Sequence, residues 1–186
     1  ACERLFLPWP DMEEMLRRHR LPLFTLESRA NARDFDVIGV TLQFELCYTS
    51  VLCLLDLAGV PLLTRERGPG DPVVVGGGPC AYNPEPVADF FDAFAVGDGE
   101  EVVHEIADAV MASGWREGRA SRRELLDRLA GAQLCHIAGV DDQAGPGIQG
   151  LNLGQHLPEP LTRPAVGIVA VADVNEGQRR PGRAGA

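Results

Sequence analysis

Between residues 36 and 43 the chain reads Asp-Val-Ile-Gly-Val-Thr-Leu-Gln, a short β-branched run without alternation of polar and apolar positions. A strand with one wet face alternates; a strand covered on both faces does not. The run therefore predicts a parallel strand inside a sheet with helices on either side. The pattern then repeats. Residues 49–58 predict a helix, with Thr49 or Ser50 available as N-cap and Gly59 as its stop. Pro72-Val-Val-Val75 predicts the next strand and runs into Gly76-Gly77-Gly78. Residues 90–96 contain a third strand, and residues 100–111 predict a helix with Val103, Ala107 and Val110 on one face. Residues 121–129 predict a further short helix, with Ser121 and Glu124 in capping-box spacing. Strands alternating with helical crossovers predict an α/β fold with an open, doubly wound parallel sheet.

The pattern does not extend along the whole chain. All eleven aromatic residues lie between Phe6 and Trp115, and from residue 131 to the end Gly and Pro fill 15 of 56 positions. Residues 1–130 are thus read as the folded domain and 131–186 as a Gly/Pro-rich tail or linker. The opening Ala1-Cys2-Glu3, without Met, marks the domain as N-terminally truncated in this reading.

Charge excludes some functions. Residues 1–113 carry 8 Arg against 19 Asp and Glu, a net of −11, which argues against a nucleic-acid backbone as partner. The chain contains no lysine, so a P-loop and a lysine Schiff base are both excluded within it. No apolar run approaches the ~20 residues of a membrane span. Cys2, Cys47, Cys53, Cys80 and Cys135 show neither a disulfide framework nor the short gaps of a zinc or iron–sulfur site. A reducing cytoplasm is the compartment this implies.

Ligands of open α/β sheets bind beyond the carboxyl ends of the strands, and the unusual residues fall there. The loop from Gly76 to Pro86 holds three Gly and three Pro. Its glycines would let backbone approach a flat or anionic ligand, or serve only a tight turn. Gly97-Asp98-Gly99-Glu100-Glu101 joins strand to helix. Asp98 suits a helix cap there, and its acids disfavour phosphate, leaving at most a polar or ribose-like contact.

Seven phrases in order carry a resemblance: Pro8-Trp-Pro-Asp-Met12, Leu21-Pro-Leu-Phe-Thr-Leu-Glu-Ser28, Asp34-Phe-Asp36, Leu54-Leu-Asp-Leu-Ala-Gly59, Gly77-Gly-Pro-Cys80, Asn83-Pro-Glu-Pro86 and Gly97-Asp-Gly-Glu100. Over about residues 2–130 they resemble the N-terminal region of radical S-adenosylmethionine (SAM) proteins that carry a B12-binding-type domain ahead of the catalytic barrel. The resemblance implies a flavodoxin-like (Rossmann-like) fold of the cobalamin-binding type. It places Thr41-Leu42-Gln43 at the family's Ser-x-Leu segment, with Gln43 departing from that pattern, and Gly76, Gly77 and Gly78 at its glycine pair. Gly97, Asp98, Gly99 and Glu100 complete the implied cofactor-binding set. The Asp-x-His-x-x-Gly segment of cobalamin domains would fall before Cys2.

The implied cofactors are cobalamin in this domain, and a [4Fe-4S] cluster with S-adenosylmethionine in the rest of the parent protein. The implied partner is the radical SAM barrel of the same parent chain, and the fragment alone is not catalytic. Two other readings stand beside this one. The domain could be a ligand-free structural unit that docks the barrel. It could instead be a flavin- or nucleotide-binding flavodoxin-like module using the Gly76–Gly78 loop, although no G-x-G-x-x-G follows a strand.

Overall fold

A computed structural model describes residues 2–97, 99–130, 134–135 and 168–171. In chain order the elements are β1 (Cys2–Leu5), α1 (Pro10–His19), β2 (Val37–Thr41), α2 (Tyr48–Ala58), β3 (Val73–Gly77), β4 (Ala93–Ala95), α3 (Gly99–Ser113), α4 (Arg122–Ala130), β5 (Leu134–Cys135) and β6 (Ile168–Val171). Short 3-10 turns lie between several of them.

One sheet holds these strands in the order β1-β6-β2-β3-β4-β5. Pairing is parallel from β1 across to β4, and β5 joins β4 antiparallel. The α/β class is as the sequence implies, and the arrangement is consistent with a flavodoxin-like one. The all-parallel sheet needs correcting at its far edge. Two helices, α3 and α4, follow β4 in succession. α3 leaves from the carboxyl edge, and α4 starts at the amino edge, where Arg122 donates to the Asp71 and Pro72 carbonyls just before β3. The chain is thus returned to the carboxyl edge, and the next strand can only run backwards.

Two stretches of the region read as tail, β5 and β6, are strands of this sheet. The other residues of 131–186 lie outside those described.

Alternation along the strands divides the core. Ile38, Val40 and Val74 face one way, into a cluster with Val51, Leu54 and Leu55 of α2, Leu16 of α1 and Phe94. Val37, Val73 and Val75 face the other way, against Val102, Ile106 and Val110 of α3 and Leu125 and Leu129 of α4. Each such side chain contributes about 1.5–3 kcal/mol when fully buried.

Helix ends follow local chemistry. Ser121 and Glu124 form the expected capping box: the Ser121 N–H reaches the Glu124 carboxylate at 2.6 Å, and the Glu124 N–H reaches Ser121 Oγ at 3.2 Å. Gly59 ends α2 in the left-handed region at φ 69°. The start of α2 differs from the expected Thr49 or Ser50 cap. A 3-10 turn at Glu45–Cys47 runs directly into the helix, so Cys47 takes the cap position without a side-chain hydrogen bond. The strand β1 and the helix α1 were not legible as elements in the sequence pattern. Arg17 of α1 ties it to α2 through Asp56 at 2.7 Å.

At the amino edge of the sheet lies a buried charge network. Asp92 accepts from Arg67 at 2.8 Å, from Arg122 at 2.9 Å and from the Val74 N–H at 2.7 Å. The Arg67 and Asp92 side chains are both 0% exposed. Arg67 also donates to the carbonyls of Pro61, Leu62 and Phe90. Burial pushes the Arg67 guanidinium down from its ordinary range, and Asp92 opposes that shift. The network fastens the loop before β3, the start of β4 and the start of α4 to one another.

Candidate functional site

The carboxyl ends of β2 and β3 stand side by side, with Thr41 and Gly77 as register partners. Beyond them the Leu42 backbone holds both loops. Its N–H donates to the Gly77 carbonyl at 2.7 Å, and its own carbonyl accepts from the Cys80 N–H at 3.1 Å. Gly78 makes this closure feasible. Its φ is +89°, and a Cβ there would lie 3.1 Å from the Leu42 carbonyl oxygen and 3.4 Å from the Thr41 methyl.

The three glycines therefore differ in what they do. At Gly76 the place of a Cβ is already taken: two Phe94 ring carbons would lie at 2.9 Å and a Leu42 methyl at 3.1 Å. That glycine serves packing within the sheet. At Gly77 the nearest atoms to a Cβ belong to Ala95 at 4.0 Å, and its φ lies outside the left-handed region. Gly77 is thus the one with open space where a Cβ would stand, although its carbonyl is taken by the Leu42 N–H.

Thr41 is half-buried and Gln43 exposed at the start of the loop after β2. One strand further along, Gly97, Gly99 and Glu100 are exposed where β4 gives way to α3. Asp98 lies outside the described residues. The sheet thus brings Thr41, Gln43, Gly77, Gly78, Gly97, Gly99 and Glu100 to one edge, with Gly76 just beneath it.

Sequence reasoning missed the apolar side chains of this edge. Phe44 is 40% exposed, Leu46 81% and Tyr82 73%, on the two loops that Leu42 holds together. Large apolar residues exposed on adjoining loops are candidates for a contact surface. The signal was present as large apolar residues inside predicted loops, where turn chemistry favours small and polar ones.

Beneath this rim lie Cys47 and Cys80, both buried, and the half-buried Tyr48. Desolvation and the Cys80 thiol push the Tyr48 phenol up to about 12, and burial pushes the Cys47 thiol up as well. Both shifts favour the protonated forms. The edge loops, residues 41–49, 77–86 and 96–101, contain Glu45, Glu85, Asp98, Glu100 and Glu101 but neither Arg nor His. A polyphosphate placed there would meet like charge and no cation, and the single phosphodiester of a cobalamin tail would likewise have to lie away from these carboxylates. Among the described residues no group of three or more His, Cys, Asp and Glu is arranged to hold a metal ion. Among them, too, no helix is long and apolar enough to cross a membrane.

These features define an α/β domain with large apolar side chains exposed at the carboxyl edge of its sheet. Residues 1–137 match the family described as radical SAM proteins, N-terminal, and the chain belongs to that family. It is therefore an N-terminal region of a radical SAM protein. The chain is also 36% identical over 80 residues to the uncharacterized protein MJ0966 of Methanocaldococcus jannaschii, a match covering 42% of this chain and 16% of that protein. The chain thus spans well under a fifth of that relative's length. No solved structure matches it.

Proposed function

We propose that this domain docks the catalytic domain of its parent protein through the carboxyl edge of its sheet, and that a corrinoid lies in the same crevice between the two. The exposed Phe44, Leu46 and Tyr82 on loops fastened to each other carry this reading. Apolar side chains held on a fixed frame lose little entropy when a partner covers them. The residues suit the face of a broad, flat macrocycle. Thr41 offers a hydroxyl, Gly77 a face without a side chain, and Gly78, Gly97 and Gly99 low relief around it. Gln43 and Glu100 would lie at its polar margin. The edge loops contain no His, so Thr41, Gln43, Gly77 and Glu100 would hold a corrinoid by contact and hydrogen bonding. A corrinoid, when bound, supplies chemistry at its metal, while the protein supplies placement. The [4Fe-4S] cluster and S-adenosylmethionine belong in this reading to the catalytic domain.

The test is made in the full-length protein. Leu46→Asp with Tyr82→Asp should raise the rate of protease cutting between the two domains at least tenfold, with the melt of this domain unchanged. An unchanged cutting rate would remove the edge as the docking surface. A corrinoid absorption spectrum after reconstitution distinguishes the cofactor-carrying form from ligand-free docking, since only the first retains the bands after gel filtration.

A further inference from the structure

The carboxyl edge carries charge of one sign beside its apolar side chains. Glu45 stands between Phe44 and Leu46 and opens the 3-10 turn Glu45–Cys47. Glu85 comes shortly after Tyr82 and opens the 3-10 turn Glu85–Phe90. Glu100 and Glu101 lie in the first turn of α3, at the same edge. All four are exposed.

On other faces of the domain, carboxylates find cations within the chain. Glu27 meets Arg4 at 2.7 Å, Glu13 and Asp56 share Arg17 at 2.9 and 2.7 Å, and Asp36 meets Arg116 at 3.1 Å. Among the described residues no ion pair involves Glu45, Glu85, Glu100 or Glu101. An acid is favoured where a helical turn begins, which accounts for the places these residues take. It does not account for edge loops that hold neither Arg nor His beside them.

The charge discriminates among the surfaces that could cover Phe44, Leu46 and Tyr82. A second copy docked edge to edge about a twofold axis would set these carboxylates against their own counterparts. A wholly apolar surface would strip water from them and return nothing. A surface with an apolar centre and a rim of Arg or Lys satisfies both sets of side chains.

We infer that the partner face is of this last kind: a protein surface of the parent's catalytic domain, apolar where it meets Phe44, Leu46 and Tyr82, and basic where it meets Glu45, Glu85 and the first turn of α3. The inference rests on the docking reading above and adds the chemistry of the partner. In such a contact the rim charges set encounter and register, while the apolar centre sets retention.

The test uses the full-length protein, with protease cutting between the two domains as the readout and the melt of this domain checked in each variant. Glu45→Arg with Glu85→Arg should raise the cutting rate over the parent at least tenfold at about 0.1 M salt. The ratio should shrink toward one at about 1 M, where the screening length has fallen from about 10 Å to about 3 Å. Taking the ratio to the parent at each salt cancels the protease's own response. The same charge change on other faces, Glu14→Arg with Glu66→Arg, should leave the rate unchanged. Should the reversed variant melt early, Glu45→Gln with Glu85→Gln gives the same direction at about threefold. If Leu46→Asp with Tyr82→Asp loosens the domains but neither glutamate pair does so beyond the control, docking stands and the basic partner is overturned. Loosening by the glutamate variants that is equal at both salts overturns it too, since the effect would then not be one of charge. If none of the edge variants loosens the domains, the docking reading itself has failed and this inference with it.

Discussion

The two ends of the same strands are built on opposite principles. At the amino edge, Arg67, Asp92 and Arg122 lie almost wholly out of water; the two arginines donate to backbone carbonyls as well as to Asp92, which also accepts from the Val74 N–H. At the carboxyl edge, large apolar side chains stand in water, and the loops are held by two backbone hydrogen bonds from one residue, Leu42. Charge is inside at one end and apolar surface outside at the other. A buried ion pair is costly to form and more costly to break, so the amino edge is committed to the fold. The carboxyl edge gives up favourable burial, which is explained when a partner supplies it.

The largest effect expected from this contrast is at Asp92. Asp92→Ala removes the acceptor of Arg67, Arg122 and the Val74 N–H in one step, leaving a buried cation uncompensated. The loss should be about 3–5 kcal/mol by urea unfolding, a large part of a small domain's total. A loss under about 1 kcal/mol would show that solvent reaches this network and that the two edges are less different than argued.

A middle-sized effect separates the glycines beneath the rim. Gly76→Ala places a methyl against the Phe94 ring and should cost about 1–3 kcal/mol. Combined with Phe94→Leu, the added methyl should cost less than it does alone, giving a coupling energy of about 1 kcal/mol in a double-mutant cycle. Strict additivity would mean that strand backbone, not the ring, sets the requirement for glycine at 76.

The sequence shows how far such distinctions can be read without coordinates. The runs at 36–43 and 72–75 revealed β2 and β3 because strands covered on both sides need apolar residues throughout. The capping box at Ser121 and Glu124 was legible because its chemistry is local. β6 was hidden by averaging: Ile168-Val-Ala-Val171 is itself a strand-like run, but it sits in a segment whose Gly and Pro content dominates any window. β1 ends at Leu5 and is too short for periodicity to declare. The site was legible as an edge, since strand ends converge in such a sheet. The division of labour among Gly76, Gly77 and Gly78 was not, because it depends on Phe94 and Ala95 from β4 and on Leu42 beyond β2. Only the register brings those residues together.

The smallest effect on stability is expected at Gly77, and it bears most directly on function. Obstructing a ligand and unfolding a turn would look alike in a binding assay if residue 77 had a positive φ. It does not, and a Cβ there has 4.0 Å to its nearest neighbours. Gly77→Ala should therefore leave the melt within about 0.5 kcal/mol of the parent, as for a substitution that touches nothing. Gly77→Val adds bulk at the same point, and β-branching suits a strand end. Any loss of affinity in these variants can then be assigned to the crevice, provided the melt is measured on the same samples. In the full-length protein, cobalamin titrated by its absorption should bind Gly77→Val at least tenfold more weakly than the parent, with Gly77→Ala in between. Equal binding by a well-folded Gly77→Val protein would take this backbone out of the site. The apolar rim would then be left with the docking role alone, and the carboxyl edge would be a surface for protein and not for a cofactor.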